Sequence, residues 1–250
     1  MNFTNDVIIW SADASEDDIR AVIESEALPK GTVIKLDRLF FENYDKDFIS
    51  FCQDAGYPVF CDAKIIEIPD KSLAIAKTYL NYHPFMLNIM AGACSTMVWE
   101  SDKTKQIDAL KRFADACAEA GTRSCGVSVL TSKNESMCQY EFSSSPVDQV
   151  LKYVELLYKA GFTDIVCSPK EASAIRQANS YGYMSINTPG IRLPDSNSDD
   201  QQRITTPFDA LKNGASRLVI GRDLTRGEGK ITSRVKHNYQ EIVKNIFAIK

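Results

Sequence analysis

The stretch Cys61-Asp62-Ala63-Lys64 sets a carboxylate and an ammonium two residues apart. On an extended strand, alternate residues share a face, so this pair would meet the same surroundings. Lys35 interrupts the apolar run Val33-Ile34-Lys35-Leu36, and Glu67 follows three residues after Lys64. If the shared face points inward, every buried charge needs a partner. Lys35, Asp62, Lys64 and Glu67 supply partners of alternating sign. Such an array keeps an ammonium beside carboxylates without neutralising the local field, which suits general acid–base work. The other reading of the same residues is a set of surface ion pairs worth little.

A second signal lies near the other end of the chain. Val219-Ile220-Gly221-Arg222 closes an apolar run with a backbone N–H and a guanidinium fork. That fork gives the planar, bidentate recognition of an oxyanion. A solvated surface arginine fits the dipeptide as well.

These groups need elements to carry them. Strand-like runs occur at Val7–Trp10, Thr32–Leu36, Pro58–Asp62, Phe85–Met90, Ser124–Leu130, Asp164–Cys167, Tyr183–Asn187 and Arg217–Gly221. Helical patterns separate them, at Glu16–Glu26, Tyr44–Ala55, Ser72–Leu80, Thr104–Ala120, Val147–Ala160, Lys170–Asn179, Pro207–Lys212 and Val235–Ala248. Val150, Val154, Leu157 and Tyr158 have the spacing of one helix face. Ser145-Pro146, Ser168-Pro169 and Thr206-Pro207 each set a capping hydroxyl before a proline at the first helical position. Strict strand–helix alternation implies parallel strands under covering helices, and eight units are the number that closes a (β/α)8 TIM barrel. The expectation is a single barrel domain over residues 1–250, with an open doubly wound sheet as the runner-up. No glycine-rich dinucleotide fingerprint follows the first strand, which counts against that sheet. Two long loops, Ser132–Ser145 and Ile191–Thr205, are expected after strands. Polar residues at the carboxyl ends of barrel strands are site candidates. By that rule Asp13, Thr131 and Arg192 join the charges already named.

Composition sets limits. The chain has 250 residues, 44% of them hydrophobic and 25% charged, which is globular rather than disordered. Its formal charge of −4 argues against a general nucleic-acid binder. Apolar runs fall short of a membrane span, and the start lacks the pattern of a signal peptide. Seven scattered cysteines without a Cys-x-x-Cys pair read as reduced thiols. The expectation is therefore a cytoplasmic protein that binds no membrane. With only His83 and His237 present, a multi-histidine metal site or a histidine-based triad has too few residues.

The ordered set Cys61-Asp62-Ala63-Lys64-Ile65-Ile66-Glu67-Ile68-Pro69, Val127-Ser128-Val129-Leu130-Thr131-Ser132, Val166-Cys167-Ser168-Pro169, Asn187-Thr188-Pro189-Gly190-Ile191-Arg192, Asp200-Gln201-Gln202-Arg203 and Val219-Ile220-Gly221-Arg222 resembles the orotidine 5′-phosphate decarboxylase family. The segments occur in family order across nearly the whole chain. The resemblance implies a (β/α)8 barrel, usually a homodimer with shared active sites. It implies conversion of orotidine 5′-monophosphate to uridine 5′-monophosphate and CO2, the last step of de novo pyrimidine nucleotide synthesis, with neither metal nor organic cofactor. Residue by residue, Lys64 matches the lysine that protonates C6, and Asp62 the aspartate beside the departing carboxylate. Lys35 matches the lysine that supports the array and contacts the ribose, and Asp13 the ribose-binding aspartate. Thr131 matches a residue of the pyrimidine pocket. Arg192, Gln201, Gly221 and Arg222 match the phosphate end.

The match is not complete. The family pattern is Asp-x-Lys-x-x-Asp-Ile-Pro-Asn-Thr, and this chain has Glu67, Asp70 and Lys71 where Asp, Asn and Thr stand. In the family, that second acidic residue reaches into the neighbouring subunit's site, so Glu67 would do so with one more methylene. Met90 stands where a histidine is common, and strand one reads Trp10-Ser11-Ala12-Asp13 rather than Ala-Leu-Asp. Two other readings stay open: a non-catalytic nucleotide-monophosphate binder, and a Mg-dependent phosphosugar decarboxylase or synthase of the same superfamily.

Overall fold

Eight short strands pair only with parallel neighbours and return to the first, closing a barrel in the order β1 to β8. The computed structural model describes residues 4–94, 103–178, 181–194 and 205–247. The strands are β1 (Ile8–Ser11), β2 (Val33–Asp37), β3 (Val59–Ile65), β4 (Met86–Met90), β5 (Arg123–Val127), β6 (Asp164–Val166), β7 (Ser185–Thr188) and β8 (Arg217–Ile220). The helices are α1 (Glu16–Glu24), α2 (Arg38–Asn43), α3 (Asp47–Asp54), α4 (Pro69–Leu80), α5 (Lys103–Glu119), α6 (Glu135–Phe142), α7 (Pro146–Lys159), α8 (Pro169–Gln177), α9 (Pro207–Lys212), α10 (Arg222–Thr225) and α11 (Ile231–Phe247). The (β/α)8 expectation holds, and the open sheet is excluded by the β1–β8 pairing of Ile9 with Val219.

Each strand is buried on both faces, which is why the runs are continuously apolar rather than alternating. The barrel interior is filled by Ile9, Val33, Phe60, Met86, Cys125 and Val219. A separate, larger core lies between sheet and helices. The amino-terminal end is closed by ions. Asp164 is fully buried; it accepts from Arg123 at 2.7 Å and from Arg217 at 3.0 Å. Asn187 adds a third donor at 3.1 Å. With that end plugged, the carboxyl-terminal mouth is where a site is expected, as in other barrels of this type.

The helix starts follow the capping chemistry. Ser145 and Thr206 accept from the backbone N–H groups of Asp148 and Asp209, each at 3.1 Å, contacts worth about 1 kcal/mol apiece. Ser168 forms a reciprocal capping box with Glu171. Val150, Val154 and Leu157 bury one face of α7. Leu157 lies so close over β5 that a Cβ on Gly126 would stand 2.2 Å from its Cδ1, so any larger residue there would force Leu157 to shift.

Four expectations need correction. The loop at Ser132–Ser145 contains α6, capped by Asn134 through the N–H of Met137 at 3.0 Å. Only Cys138 of that helix is buried, so no apolar periodicity announces it. The helix expected over Tyr44–Ala55 is the shorter α3, and a separate helix, α2, that was not expected precedes it: Asp37 caps α2 at 2.9 Å through Phe40, and an extended Tyr44 ends it before α3 begins. The fifth strand stops at Val127 rather than Leu130, so Val129, Leu130 and Thr131 belong to the loop that follows it. The third strand runs past Asp62 to Ile65. Residues 195–204, most of the second expected loop, lie outside the described residues.

Candidate active site

A cavity of about 250 Å3 opens at the carboxyl ends of the strands. Lys35, Asp62, Lys64, Asp13, Thr131, Arg192, Gly221 and Arg222 all line it. Phe60, Val127, Val129, Leu130, Pro189 and Val219 supply apolar wall. The result is a concave hollow in which apolar wall and convergent charged and polar groups share the lining, a form suited to a small polar molecule.

The charges meet at Asp62. Its Oδ2 accepts from Lys35 Nζ and from Lys64 Nζ, both at 2.7 Å. Its Oδ1 accepts from Asn88 Nδ2 at 2.6 Å. Burial alone would push this carboxyl upward, but the two ammonium groups and their hydrogen bonds hold it well below the ordinary carboxylate range. Lys35 is the mirror case. Burial favours its neutral form, and Asp62 outweighs burial, so its pKa is raised. Two cations and one anion leave the trio with a net positive charge. Lys64 is the member turned toward the mouth, with 45% of its side chain exposed against 10% for Lys35.

Asp62 and Lys64 do share the cavity, though not by strand alternation. Lys64 has φ +42°, a left-handed conformation that a lysine rarely adopts. The β3–β4 ladder pairs Cys61 with Leu87 and then Ile65 with Ile89, so three residues of β3 stand against Asn88 alone. This bulge, which no local sequence pattern marks, re-aims Lys64.

Gly221 and Asp13 are neighbours in the same lining: a Cβ on Gly221 would lie 3.3 Å from Asp13 Oδ2. Ser11, not among the expected site residues, donates to Asp13 at 3.2 Å. Arg192 is buried, 3.6 Å from Asp223, and the Leu193 N–H fixes that aspartate at 2.7 Å. Arg222 follows Gly221 on the rim and is exposed.

Glu67 stands apart. It is exposed, does not line the cavity, and its Oε2 accepts the neighbouring Ile68 N–H at 3.2 Å. Its backbone carbonyl is pinned by Ser72 Oγ at 2.9 Å and by the Cys94 N–H at 3.1 Å. Gln201 lies outside the described residues. Asp70 pairs with Arg112 of α5 at 2.9 Å, Lys71 is exposed, and Met90 packs against the outer core. All seven cysteines are buried free thiols. No helix among the described residues is long and apolar enough to cross a membrane.

Fold and cavity together define a (β/α)8 barrel with an enzyme-type pocket at its carboxyl-terminal mouth. A family model described as orotidine 5′-phosphate decarboxylase / HUMPS matches residues 7–233. The chain belongs to that family. It is 30% identical to the orotidine 5′-phosphate decarboxylase of Ehrlichia chaffeensis over 225 residues, 89% of this chain and 91% of the relative. It is 31% identical to that of Wigglesworthia glossinidia brevipalpis over 202 residues, covering 79% and 81%. The crystal structure of orotidine 5′-phosphate decarboxylase from Lactobacillus acidophilus superposes with a TM-score of 0.73 at 23% identity, over 96% of this chain and 98% of that one.

Proposed function

We propose that this chain decarboxylates orotidine 5′-monophosphate to uridine 5′-monophosphate in pyrimidine nucleotide synthesis, with Lys64 as proton donor and without a cofactor. The observation that carries the reading is the Lys35–Asp62–Lys64 trio lining a cavity that Arg192 and Arg222 also line. The family membership supports the same reaction.

Loss of CO2 breaks the C6–carboxylate bond and leaves the electron pair on C6. The site must favour that charge over the charge of the starting carboxylate. The Lys64 ammonium supplies the positive field and then transfers a proton from Nζ to C6; water returns the proton to the amine. Asp62 stands beside the substrate carboxylate. Two like charges about 4 Å apart repel by about 4 kcal/mol at an effective dielectric near 20, and that repulsion vanishes as neutral CO2 departs. Lys35 keeps Asp62 ionised in the meantime and contacts the ribose with Asp13. Thr131 and the apolar wall receive the pyrimidine. Arg192, Gln201, Gly221 and Arg222 hold the phosphate, and that remote binding energy places the ring for reaction.

Glu67 enters this reading through a second copy of the chain. It is exposed on its own subunit between Ile66 and Ile68, which are 65% and 61% exposed. A carboxylate flanked by exposed apolar side chains fits a homodimer in which each copy completes the other's site.

The test is the fall in orotidine 5′-monophosphate absorbance, followed with a chelator present. Turnover unaffected by the chelator supports the reading. Loss of activity on chelation favours the Mg-dependent sister enzymes instead. Calorimetric binding of uridine 5′-monophosphate without any turnover makes the chain a binder.

A further inference from the structure

Asn88 is a fully buried amide in the strand Met86-Leu87-Asn88-Ile89-Met90, whose other residues are all apolar. The β3–β4 ladder breaks at this point, because Asp62, Ala63 and Lys64 bulge opposite this one residue. A bulge leaves backbone groups without ladder partners, and an unpaired buried N–H is costly. The Asn88 side chain fills the gap. Its Oδ1 accepts the Lys64 backbone N–H at 2.7 Å, and its Nδ2 donates to Asp62 Oδ1 at 2.6 Å. One carboxamide thus holds both the strained backbone that aims Lys64 and the carboxylate that receives its ammonium. A left-handed lysine is strained and persists only where its surroundings impose it.

We infer that Asn88 is a positioning residue for decarboxylation, bridging the β3 bulge so that Lys64 and Asp62 keep their geometry toward the substrate. This rests on the assignment of Lys64 as proton donor. Asn88 does not line the cavity, so its removal is expected to act on the chemical step rather than on binding. A displacement of about 1 Å at a reacting group costs roughly 10²-fold in rate.

The titratable groups around this position are few. Asp62 and Lys64 face it from β3, and Lys35 of β2 lies behind Asp62. Cys125 of β5 is its register partner, a thiol that burial pushes far up and so keeps neutral. Asp164 lies beyond Cys125, bound to Arg123 and Arg217.

Two variants test the inference. Asn88→Ala removes both hydrogen bonds, and kcat is expected to fall about 10²-fold. KM and the affinity for uridine 5′-monophosphate should stay within about threefold. Asn88→Asp keeps the acceptor for the Lys64 N–H but sets a carboxylate against Asp62. That repulsion raises the introduced carboxyl's pKa. Below it, the proton returns as an O–H donor to Asp62. Activity of Asn88→Asp relative to wild type should therefore recover as pH falls, a response that a general packing defect does not give. If Asn88→Ala fails to fold, Asn88→Asp, nearly isosteric, decides alone. Wild-type kcat in Asn88→Asp at every pH overturns the inference, and so does a loss in that variant that does not change with pH. Lys64→Ala is assayed alongside: if it retains full turnover, the reading of the site fails, whatever Asn88 does.

Discussion

Asp62 spends both oxygens on groups of the site: Lys35 and Lys64 on Oδ2, Asn88 on Oδ1. Its pKa is depressed, so the stability it lends is present above the ordinary carboxylate value of about 3.9 and drains only as pH falls from there toward the lowered value. Lys35 is raised, so its share is present below the ordinary lysine value of about 10.4 and is lost only as pH climbs through the raised one. The pair is therefore intact throughout the neutral range. The stability cost of Asp62→Asn should be constant from about pH 5 to pH 7 and shrink below about pH 4. Thermal unfolding of both proteins across that range checks this, and a cost that fades between pH 5 and 7 contradicts it. Arg222 belongs to the same scale. A hydrogen bond to a charged group is worth about 1.5–3 kcal/mol. Arg222→Ala should accordingly raise KM for the nucleotide by about 10- to 100-fold while changing kcat much less. An unchanged KM removes Arg222 from the phosphate end.

At the scale of elements, close approach decides. Gly126 lets α7 settle on β5, and a methyl group there would meet Leu157 Cδ1 and Cδ2 at 2.2 and 2.5 Å. Overpacking of this kind costs about 1–3 kcal/mol. Calorimetry of Gly126→Ala should show a melting temperature several degrees lower, whereas an unchanged one means the helix shifts freely. The elements themselves were largely legible in the sequence. Doubly covered parallel strands leave continuous apolar runs, and serine or threonine before proline marks the starts of α7, α8 and α9. Helix α6 was not legible, because one buried residue makes no period. The site was legible at its charges, since Asp62 and Lys35 stand out against apolar neighbours. The bulge was not: it depends on a register shift between β3 and β4, and register is a relation between two segments. Asn88 left a readable trace, a lone amide in an apolar strand, whose meaning needed its partners across the ladder.

For the whole molecule, the ion plug at Asp164 closes one end of the barrel and leaves the Lys35–Asp62–Lys64 charges to the other. The proposed dimer puts Lys64 and Glu67 of any one site on different chains. Mixing and re-equilibrating equal amounts of Lys64→Ala and Glu67→Ala then gives half heterodimers, each with one intact site. Activity should rise to about one quarter of wild type, although each variant alone is nearly inactive. No gain on mixing sets each site within a single chain. All of this depends on one ammonium beside the carbon that loses its carboxylate. The most direct measurement is kcat of Lys64→Ala with orotidine 5′-monophosphate, on protein shown by calorimetry to bind uridine 5′-monophosphate. Removing proton donor and field together should lower kcat by at least about 10⁴-fold while nucleotide affinity largely survives. A kcat within tenfold of wild type would contradict the account.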